Sequence, residues 1–175
     1  MPRLRLVVPA PRHRAAWRDY LNEWNQTGEG MTPWALDPCG GDFDGFLAIT
    51  AQYAEGRDLP PNKVRSGLFL LFEDDAEERL LGAVSIRYEL NDYLLNYGGH
   101  VGYGVRPSER RKGRAKAMLS MALPICRKHG IGCVLVTCDT VNVASARTIM
   151  ACGGKLENEV IHPDGSPVQR YWIEP

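Results

Sequence analysis

The sequence lacks three features that would each point to a different class of protein. Lys+Arg and Asp+Glu are equal at 21 each, so the chain has no basic excess of the kind that nucleic-acid-binding proteins use to contact phosphates. No apolar run approaches the roughly 20 residues that a membrane-spanning helix needs. The basic N-terminus contains only a short apolar piece, residues 6–10, and so lacks the apolar core of a secretory signal. These absences disfavour a nucleic-acid binder and a membrane protein.

Paired cysteines are also missing. The five cysteines are odd in number and widely spaced, and no two of them form a C-x-x-C pair. Four lie inside apolar stretches, where a free Cys behaves as a small hydrophobic residue. We therefore expect no metal site and no disulfide framework, as in a reduced, cytoplasmic protein.

What is present suits one domain spanning residues 1–175, with 44% hydrophobic and 24% charged residues. Alternation and helical periodicity predict an α/β fold in which helices flank one central mixed sheet. The predicted strands are 3–8, 67–72, 80–88, 100–105, 133–138, 155–161 and 168–173, and the predicted helices are 11–24, 46–53, 113–129 and 142–152. An acidic turn joins the second and third strands at 73–78, and a long loop of open role covers 25–45. Pro124 should kink or break its helix near Ser120.

The segment from Val105 to Ala115, Val-Arg-Pro-Ser-Glu-Arg-Arg-Lys-Gly-Arg-Ala, gives the clearest chemical signal. It leaves a predicted strand and enters a predicted helix at Gly113. The first turn of a helix has N–H groups without internal partners and partial positive charge, which suits a phosphate. A glycine there lets the backbone approach a diphosphate, and four basic side chains add attraction: Arg110, Arg111, Lys112 and Arg114. A solvated basic loop or a nucleic-acid contact would have the same composition.

A second polar segment, Asp139-Thr-Val-Asn142-Val-Ala-Ser145, follows the next predicted strand and leads into a helix. Asn142 could simply cap that helix, which is the usual role of Asn at such a position. Alternatively, its amide or the Ser145 hydroxyl contacts a ligand that lies between the two strands. The two segments together, in this order and spacing, are more specific than either alone.

These residues resemble the acetyl-coenzyme A signature of the GNAT superfamily of N-acetyltransferases. The resemblance rests on Arg110-x-x-Gly113-x-Ala115 between a strand and a helix, and on Asn142-x-x-Ser145 before a helix that ends in Gly-Gly. It extends over about 67–173 and centres on a cofactor-binding core at about 99–154. The stretches 87–91 and 98–109 resemble a bacterial subgroup of unassigned substrate.

The resemblance implies the GNAT fold and transfer of the acetyl group of acetyl-CoA to a primary amine, by direct attack in a ternary complex. It implies that the strands ending at Val105 and Cys138 are adjacent, parallel and splayed at the cofactor, and a structure that places them in separate sheets would end the family assignment. Backbone around Val105, where the GNAT strand bulges, should contact pantetheine and polarise the thioester carbonyl. The backbone amides that should hold the diphosphate are those of Arg110, Arg111, Lys112, Gly113, Arg114 and Ala115. Asn142 and Ser145 should line the other wall.

One departure from the family pattern concerns the acid that protonates the departing thiolate. Many GNAT enzymes place a Tyr seven residues after the Asn, but here that residue is Ile149. Ser145, Cys138 or water could serve instead. A larger residue at Gly113 should weaken coenzyme A binding and leave thermal stability nearly unchanged.

Two residues are candidates for the catalytic base, and either would set the pH profile. Glu89 follows a predicted strand near the mouth of the expected cleft, and His100 lies on the strand that leads to Val105. At pH 7, deprotonating an alkyl amine of pKa about 10.4 costs about 4.6 kcal/mol, whereas an α-amine of pKa near 8 costs only about 1.4 kcal/mol. A lysine-like acceptor would therefore depend more on a base.

Several residues are candidates for shaping the acceptor site. Arg87, Asn91 and Tyr97 could bind substrate, although Arg87 could equally pair with an acidic neighbour. Trp24 and Trp34 could wall a substrate pocket, whereas Trp17 is expected in the core. None of these identifies the acceptor.

Two alternatives from other classes stay open. A GNAT-fold domain could bind acyl-CoA without turnover, as a sensor or partner module, because fold does not imply function. A nucleic-acid binder could use the basic loop, although the zero net charge disfavours it. The expected partner is a small-molecule or peptide amine, not a membrane or nucleic acid, and a homodimer stays open.

Overall fold

A computed structural model describes residues 3–73 and 77–175 of the chain. Its helices are α1 Arg14–Asn25, α2 Phe43–Glu55, α3 Arg114–Lys128 and α4 Val143–Ala151. Its strands are β1 Leu4–Val7, β2 Ser66–Glu73, β3 Gly82–Arg87, β4 Val101–Val105, β5 Val134–Asp139, β6 Lys155–Ile161 and β7 Pro167–Ile173. Each predicted helix and strand is present, with small shifts at the ends. α2 starts earlier than predicted because the Asp42 carboxylate accepts the N–H of Asp44 at 3.1 Å and caps the helix.

Hydrogen-bond ladders divide the strands into two antiparallel sheets, β1-β2-β3-β4 and β5-β7-β6. The α/β fold with flanking helices is confirmed, but the expectation of one continuous mixed sheet is wrong. β4 and β5 are joined just before β4, where the His100 N–H donates to the Leu135 carbonyl at 2.7 Å. The Leu135 N–H then donates to the ring Nδ1 of His100 at 2.9 Å, so a side chain replaces the backbone acceptor that would continue a ladder. By their ladders β4 and β5 thus lie in separate sheets, the arrangement that was expected to end the family assignment, but they remain neighbours at His100 and splay apart beyond it.

Two apolar clusters cover the two faces of the four-stranded sheet. Because successive side chains of a strand point to opposite faces, Val84 and Ile86 of β3 share one cluster with Met118 of α3, whereas Ala83 belongs to the other. The second cluster is built largely from α1 and α2, and it includes Trp17, as expected. The sheet thus carries α3 on one face and α1 with α2 on the other.

The segment between α1 and α2 passes over β4. The Trp17 indole N–H donates to the carbonyl of Leu36 at 2.8 Å, and Leu36 ends a short 3₁₀ turn that begins at Trp34. Four residues before Leu36, the carbonyl of Thr32 lies directly against Gly104, so that a Cβ at Gly104 would collide with it. Residues of this segment line both of the cavities described below, Trp34 the smaller one and Thr32 the larger one.

Two local expectations turn out differently. α3 continues through Pro124, so the expected break near Ser120 is wrong; buried residues on both sides of Pro124, including Ala122 and Cys126, hold the helix against the sheet. The acidic turn predicted at 73–78 falls largely on residues 74–76, which lie outside the described residues. Within residues 3–73 and 77–175, no helix has both the length and the apolar character of a membrane span.

Candidate functional site

A cavity of about 610 Å³, the large cavity, opens between β4 and α4, where β4 and β5 splay apart. No further backbone hydrogen bond joins β4 to β5 beyond the His100–Leu135 link in the part of the chain that the structure describes. All of the predicted cofactor-binding residues except Lys112 line this cavity: Val105, Arg110, Arg111, Gly113, Arg114, Ala115, Asn142 and Ser145. The register between β3 and β4 is regular up to Val105, so the bulge expected there is not seen in that pairing.

Backbone N–H groups at the start of α3 border the large cavity. The amides of residues 111–116, which we call the amide nest, donate to no acceptor within the described residues. The first helix-type hydrogen bond runs from the Ala117 N–H to the Gly113 carbonyl at 3.0 Å. Arg111 and Gly113 have φ angles of +63° and +74°, a conformation that turns successive N–H groups toward one side. Together with the positive end of the α3 dipole, this geometry suits a phosphate.

The backbone conformation of Gly113 is one that favours glycine. A residue with a Cβ at its φ of +74° would be strained by about 1–2 kcal/mol. The expectation that a larger residue at Gly113 leaves stability unchanged is therefore wrong. A Cβ there would meet no protein atom within 4 Å, so the space above the nest is open to a ligand. Gly130, at the opposite end of α3, also has positive φ and open space, which makes it a matched control.

Most basic side chains of the loop are already paired. Three of them contact carboxylates at 2.6–3.1 Å: Arg110 with Glu29, Lys112 with Glu109, and Arg114 with Glu73. Arg111 is exposed and has no carboxylate within ion-pairing distance among the described residues. The Nε of Arg114 is buried and donates no hydrogen bond. The unpartnered donors are thus mainly backbone amides, and the paired side chains further disfavour a nucleic-acid surface.

The opposite wall of the large cavity contains a hydroxyl pair. The Oδ1 of Asn142 accepts the Ser145 N–H at 3.0 Å, which makes Asn142 the N-cap of α4, and both residues line the cavity. The Ser145 Oγ lies 2.9 Å from the hydroxyl of Tyr103, another residue of the cavity wall. Burial raises the pKa of Tyr103 to about 12, so its hydroxyl stays protonated at neutral pH. Ile149, at the position of the missing family Tyr, is fully buried.

Tyr103 was not among the candidate site residues, although strand alternation in the sequence could have identified it. It precedes Val105 by two residues on β4, and residues two apart on a strand share a face. Once Val105 is assigned to the cofactor wall, alternation assigns Tyr103 to the same wall.

Neither predicted base lies in a cavity. His100 is buried and neutral: burial, and then the charge of Arg87, lower its pKa to about 4. Its Nδ1 is occupied by the Leu135 N–H, so the ring proton resides on Nε2. Glu89 is exposed and borders neither cavity. The structure therefore gives His100 a structural position and does not bring Glu89 into the site.

A second cavity of about 210 Å³, the small cavity, lies between α2, β2, β3 and residues 93–94. Of the predicted substrate-binding residues, only Arg87 lines it. Asn91 instead bonds through both ends of its side-chain amide to backbone of adjoining loops, at 2.8 and 2.9 Å, and so supports the wall. Tyr97 accepts a hydrogen bond from Thr137 through its carbonyl and borders neither cavity. Trp34 lines the small cavity and Trp24 the large one.

The profile of the Acetyltransferase (GNAT) family matches residues 13–153 of the chain. The chain belongs to the GNAT acetyltransferase family. The matched residues include the amide nest, the hydroxyl pair and the lining of both cavities. As a member of this family, the GNAT chain is an acetyl-CoA-dependent acetyltransferase. No curated protein matches it.

Solved structures of GNAT acetyltransferases share this fold over almost the whole chain. One, an acetyltransferase from Salmonella typhimurium that modifies the N-terminal serine of ribosomal protein L7/L12, is 15% identical, with a TM-score of 0.69 over 98% of this chain and 95% of that chain. The putative acetyltransferase yncA from Salmonella typhimurium, solved with acetyl-CoA, is 16% identical with a TM-score of 0.63, covering 98% and 93%. A spermidine N-acetyltransferase mutant from Vibrio cholerae is 18% identical with a TM-score of 0.63, covering 98% and 94%. At these identities the likeness shows the fold alone.

Proposed function

We propose that this GNAT chain transfers the acetyl group of acetyl-CoA to a primary amine, which attacks the thioester while both substrates are bound. The observation that carries the proposal is the amide nest at residues 111–116, a row of unpartnered N–H groups on the positive end of α3 and on the border of a large cavity. Unpartnered donors at a helix N-terminus favour an anion, and a diphosphate presents several oxygens to several amides at once.

The large cavity also suits the rest of coenzyme A. When bound, acetyl-CoA supplies an acetyl group activated as a thioester. The edge of β4 that faces β5 forms no ladder within the described residues, so its backbone groups, including those of Val105, can contact the pantetheine arm. Asn142 and Ser145 stand on the opposite wall. The cavity therefore has room for the diphosphate at one end and for the amide-containing pantetheine arm along the unpaired edge of β4.

Tyr103 takes the place of the acid that the family pattern leaves vacant at Ile149. Its hydroxyl, held at 2.9 Å from the Ser145 Oγ, lies within the cavity and is protonated. Because its pKa of about 12 exceeds that of a thiol, about 8.5, Tyr103 stabilises the leaving sulfur by donating a hydrogen bond rather than by complete proton transfer. Ser145 orients that hydroxyl.

The proton of the attacking amine has no dedicated acceptor among the described residues that line the two cavities. The carboxylates among the described lining residues, Glu29 and Glu109, are both ion-paired, and Arg110 holds the pKa of Glu29 below its usual range. We therefore expect the proton to leave to water. An amine of lower pKa is then the better acceptor, because less free energy is needed to deprotonate it.

Thiol release from acetyl-CoA, measured against a panel of amino acids, short peptides, alkyl amines and polyamines, tests this function. We expect amine-dependent release, with an N-acetylated product identified by its mass. Calorimetric titration with coenzyme A provides the control for cofactor binding. Tight binding without release for any amine would favour the acyl-CoA sensor instead.

A further inference from the structure

Arg87 lines the small cavity without an acidic partner. Its guanidinium donates one hydrogen bond, from Nη1 to the carbonyl of Gly98 at 3.2 Å. No carboxylate lies within ion-pairing distance of it in residues 3–73 and 77–175, and the cavity lining contains no Asp or Glu. The alternative in which Arg87 pairs with an acidic neighbour is therefore not met within the described residues.

Most of the donors of Arg87 are available to a ligand. A guanidinium carries five N–H donors and a permanent charge, and only one of those donors is used, at the Gly98 carbonyl. The side chain is partly buried, and none of its nitrogens is both fully buried and unpartnered, so the remaining donors stay accessible. Burial lowers the pKa of Arg87, so an anion beside it would stabilise the charged form.

The remaining donors are well placed for a molecule that reaches toward the acetyl group. A Cβ at Gly102 of β4 would lie only 3.2 Å from Nη1 of Arg87, so the guanidinium sits directly over this glycine. Gly104, two residues further along β4, already lines the large cavity. At the rise of a strand, these positions are about 7 Å apart. An acceptor could therefore bind Arg87 with one end and place an amine at the thioester with the other.

We propose that Arg87 binds the carboxylate of the acceptor, so that this enzyme acetylates a small amine that carries an acid group and an apolar side chain. This inference rests on the proposed function and names its substrate class. A planar guanidinium matches a carboxylate in a two-pronged geometry. Among the described lining residues, the only other charged side chain is a second cation, Lys63, which stacks on Trp34 at 4.9 Å.

The volume and the lining of the small cavity restrict the class of acceptor further. The small cavity is below the usual range for drug-sized ligands, about 300–1,000 Å³, which suits an amino acid or a dipeptide. Much of its wall is apolar or aromatic: Trp34, Ala35, Ile49, Tyr53, Val64, Leu68, Tyr93 and Leu94. A polyamine would bring two or more further cations to a cavity that holds Lys63 and Arg87 and no carboxylate.

Binding tests the inference without requiring transfer. The protein is loaded with coenzyme A and titrated calorimetrically with two matched pairs: L-leucine with L-leucinamide, and glycyl-L-leucine with its C-terminal amide. Each pair differs in the carboxylate. We expect at least one acid to bind at least tenfold more tightly than its amide, and spermidine not to compete. Equal affinity within both pairs would overturn the inference.

Substitutions assign the selectivity to Arg87. Arg87→Gln should abolish the preference for the acid, Arg87→Lys should retain part of it, and Lys63→Gln should reduce it less than Arg87→Gln. Unchanged affinity for coenzyme A verifies that each variant is folded, and if Arg87→Gln does not fold, Arg87→Lys carries the test. A preference that persists undiminished in the folded Arg87 variants would overturn the assignment.

The outcomes separate this inference from the proposed function. Selective binding of acids without thiol release would contradict acetyl transfer and support the carboxylate site. Amine-dependent thiol release that does not depend on the acceptor carboxylate or on Arg87 would support acetyl transfer and contradict the carboxylate site.

Discussion

The large cavity and the small cavity present different parts of the chain to their ligands. The large one offers backbone: the amides of residues 111–116 and the free edge of β4. The small one offers side chains, with Arg87 and Lys63 among aromatic and apolar groups. A site built from backbone groups depends on the order of the helices and strands and on where they end, and many different side chains are compatible with it. A side-chain site depends on a few identities, so it can change specificity while the fold and the cofactor stay the same.

The two faces of the sheet also use charge differently. Around the amide nest most cations are paired with carboxylates of the protein, as Arg110 is with Glu29. In the small cavity Arg87 has no such partner within the described residues. The basic loop beside the amide nest is therefore largely charge-balanced within the protein, whereas Arg87 in the small cavity is available to an anionic ligand.

If Tyr103 donates the proposed hydrogen bond to the leaving sulfur, Tyr103→Phe should lower kcat roughly 10- to 100-fold, because the phenyl ring cannot donate it. Affinity for coenzyme A should stay within about twofold, because the nest is untouched. Ser145→Ala, which removes the orienting hydroxyl and leaves the phenol in place, should lower kcat less. Steady-state kinetics with a saturating amine provide the measurement, and an unchanged kcat in Tyr103→Phe would exclude it as the donor.

His100→Ala should destabilise the fold by about 2–4 kcal/mol, because the buried Leu135 N–H loses its acceptor and a cavity forms. His100→Asn is the matched control, since its Oδ1 can accept from the same N–H. Denaturant unfolding would reveal the difference. Equal losses in both variants would mean that this hydrogen bond does not hold the two sheets together.

The lowered pKa of His100 predicts that the stability of the fold depends on pH. The folded pKa of about 4 lies below the value near 6.5 expected for an unfolded His. The unfolded chain thus binds a proton first, and stability is lost as pH falls from about 6.5 through 4, by at most roughly 3 kcal/mol. This loss should disappear in His100→Asn. A wild-type protein whose stability is flat over that interval would contradict the assignment.

The sequence was most informative where function depends on backbone. The order of strand, loop and helix around Gly113, and the polar turn at Asn142, predicted the nest and the wall of the large cavity, because both depend on local element ends. The place where β4 and β5 splay apart could not be predicted from the sequence. There the His100 ring, instead of a backbone carbonyl, accepts the N–H of Leu135, and these two residues are far apart in the chain. The role of Arg87 was left undecided for the same reason: the absence of an acidic neighbour becomes visible only after folding.

Glu29→Gln should raise the affinity for coenzyme A about two- to fivefold at low ionic strength, and less at high salt. The substitution removes a negative charge from the border of the large cavity and frees Arg110 to attract the diphosphate. Asp44→Asn, which breaks an exposed ion pair with Arg14 elsewhere, is the control and should have no effect. Weaker binding in Glu29→Gln would mean that this pair organises the loop instead of competing with the ligand.

Calorimetric titration of Gly113→Ala beside Gly130→Ala shows whether the amide nest binds the diphosphate. Both glycines have positive φ and open space, so the two variants should lose similar stability. Gly113→Ala should bind coenzyme A at least tenfold more weakly, about 1.4 kcal/mol, and Gly130→Ala should bind as the wild type does. Pantetheine, which lacks the diphosphate, should bind both variants equally. Unchanged affinity of folded Gly113→Ala for coenzyme A would mean that the diphosphate does not bind to the amide nest.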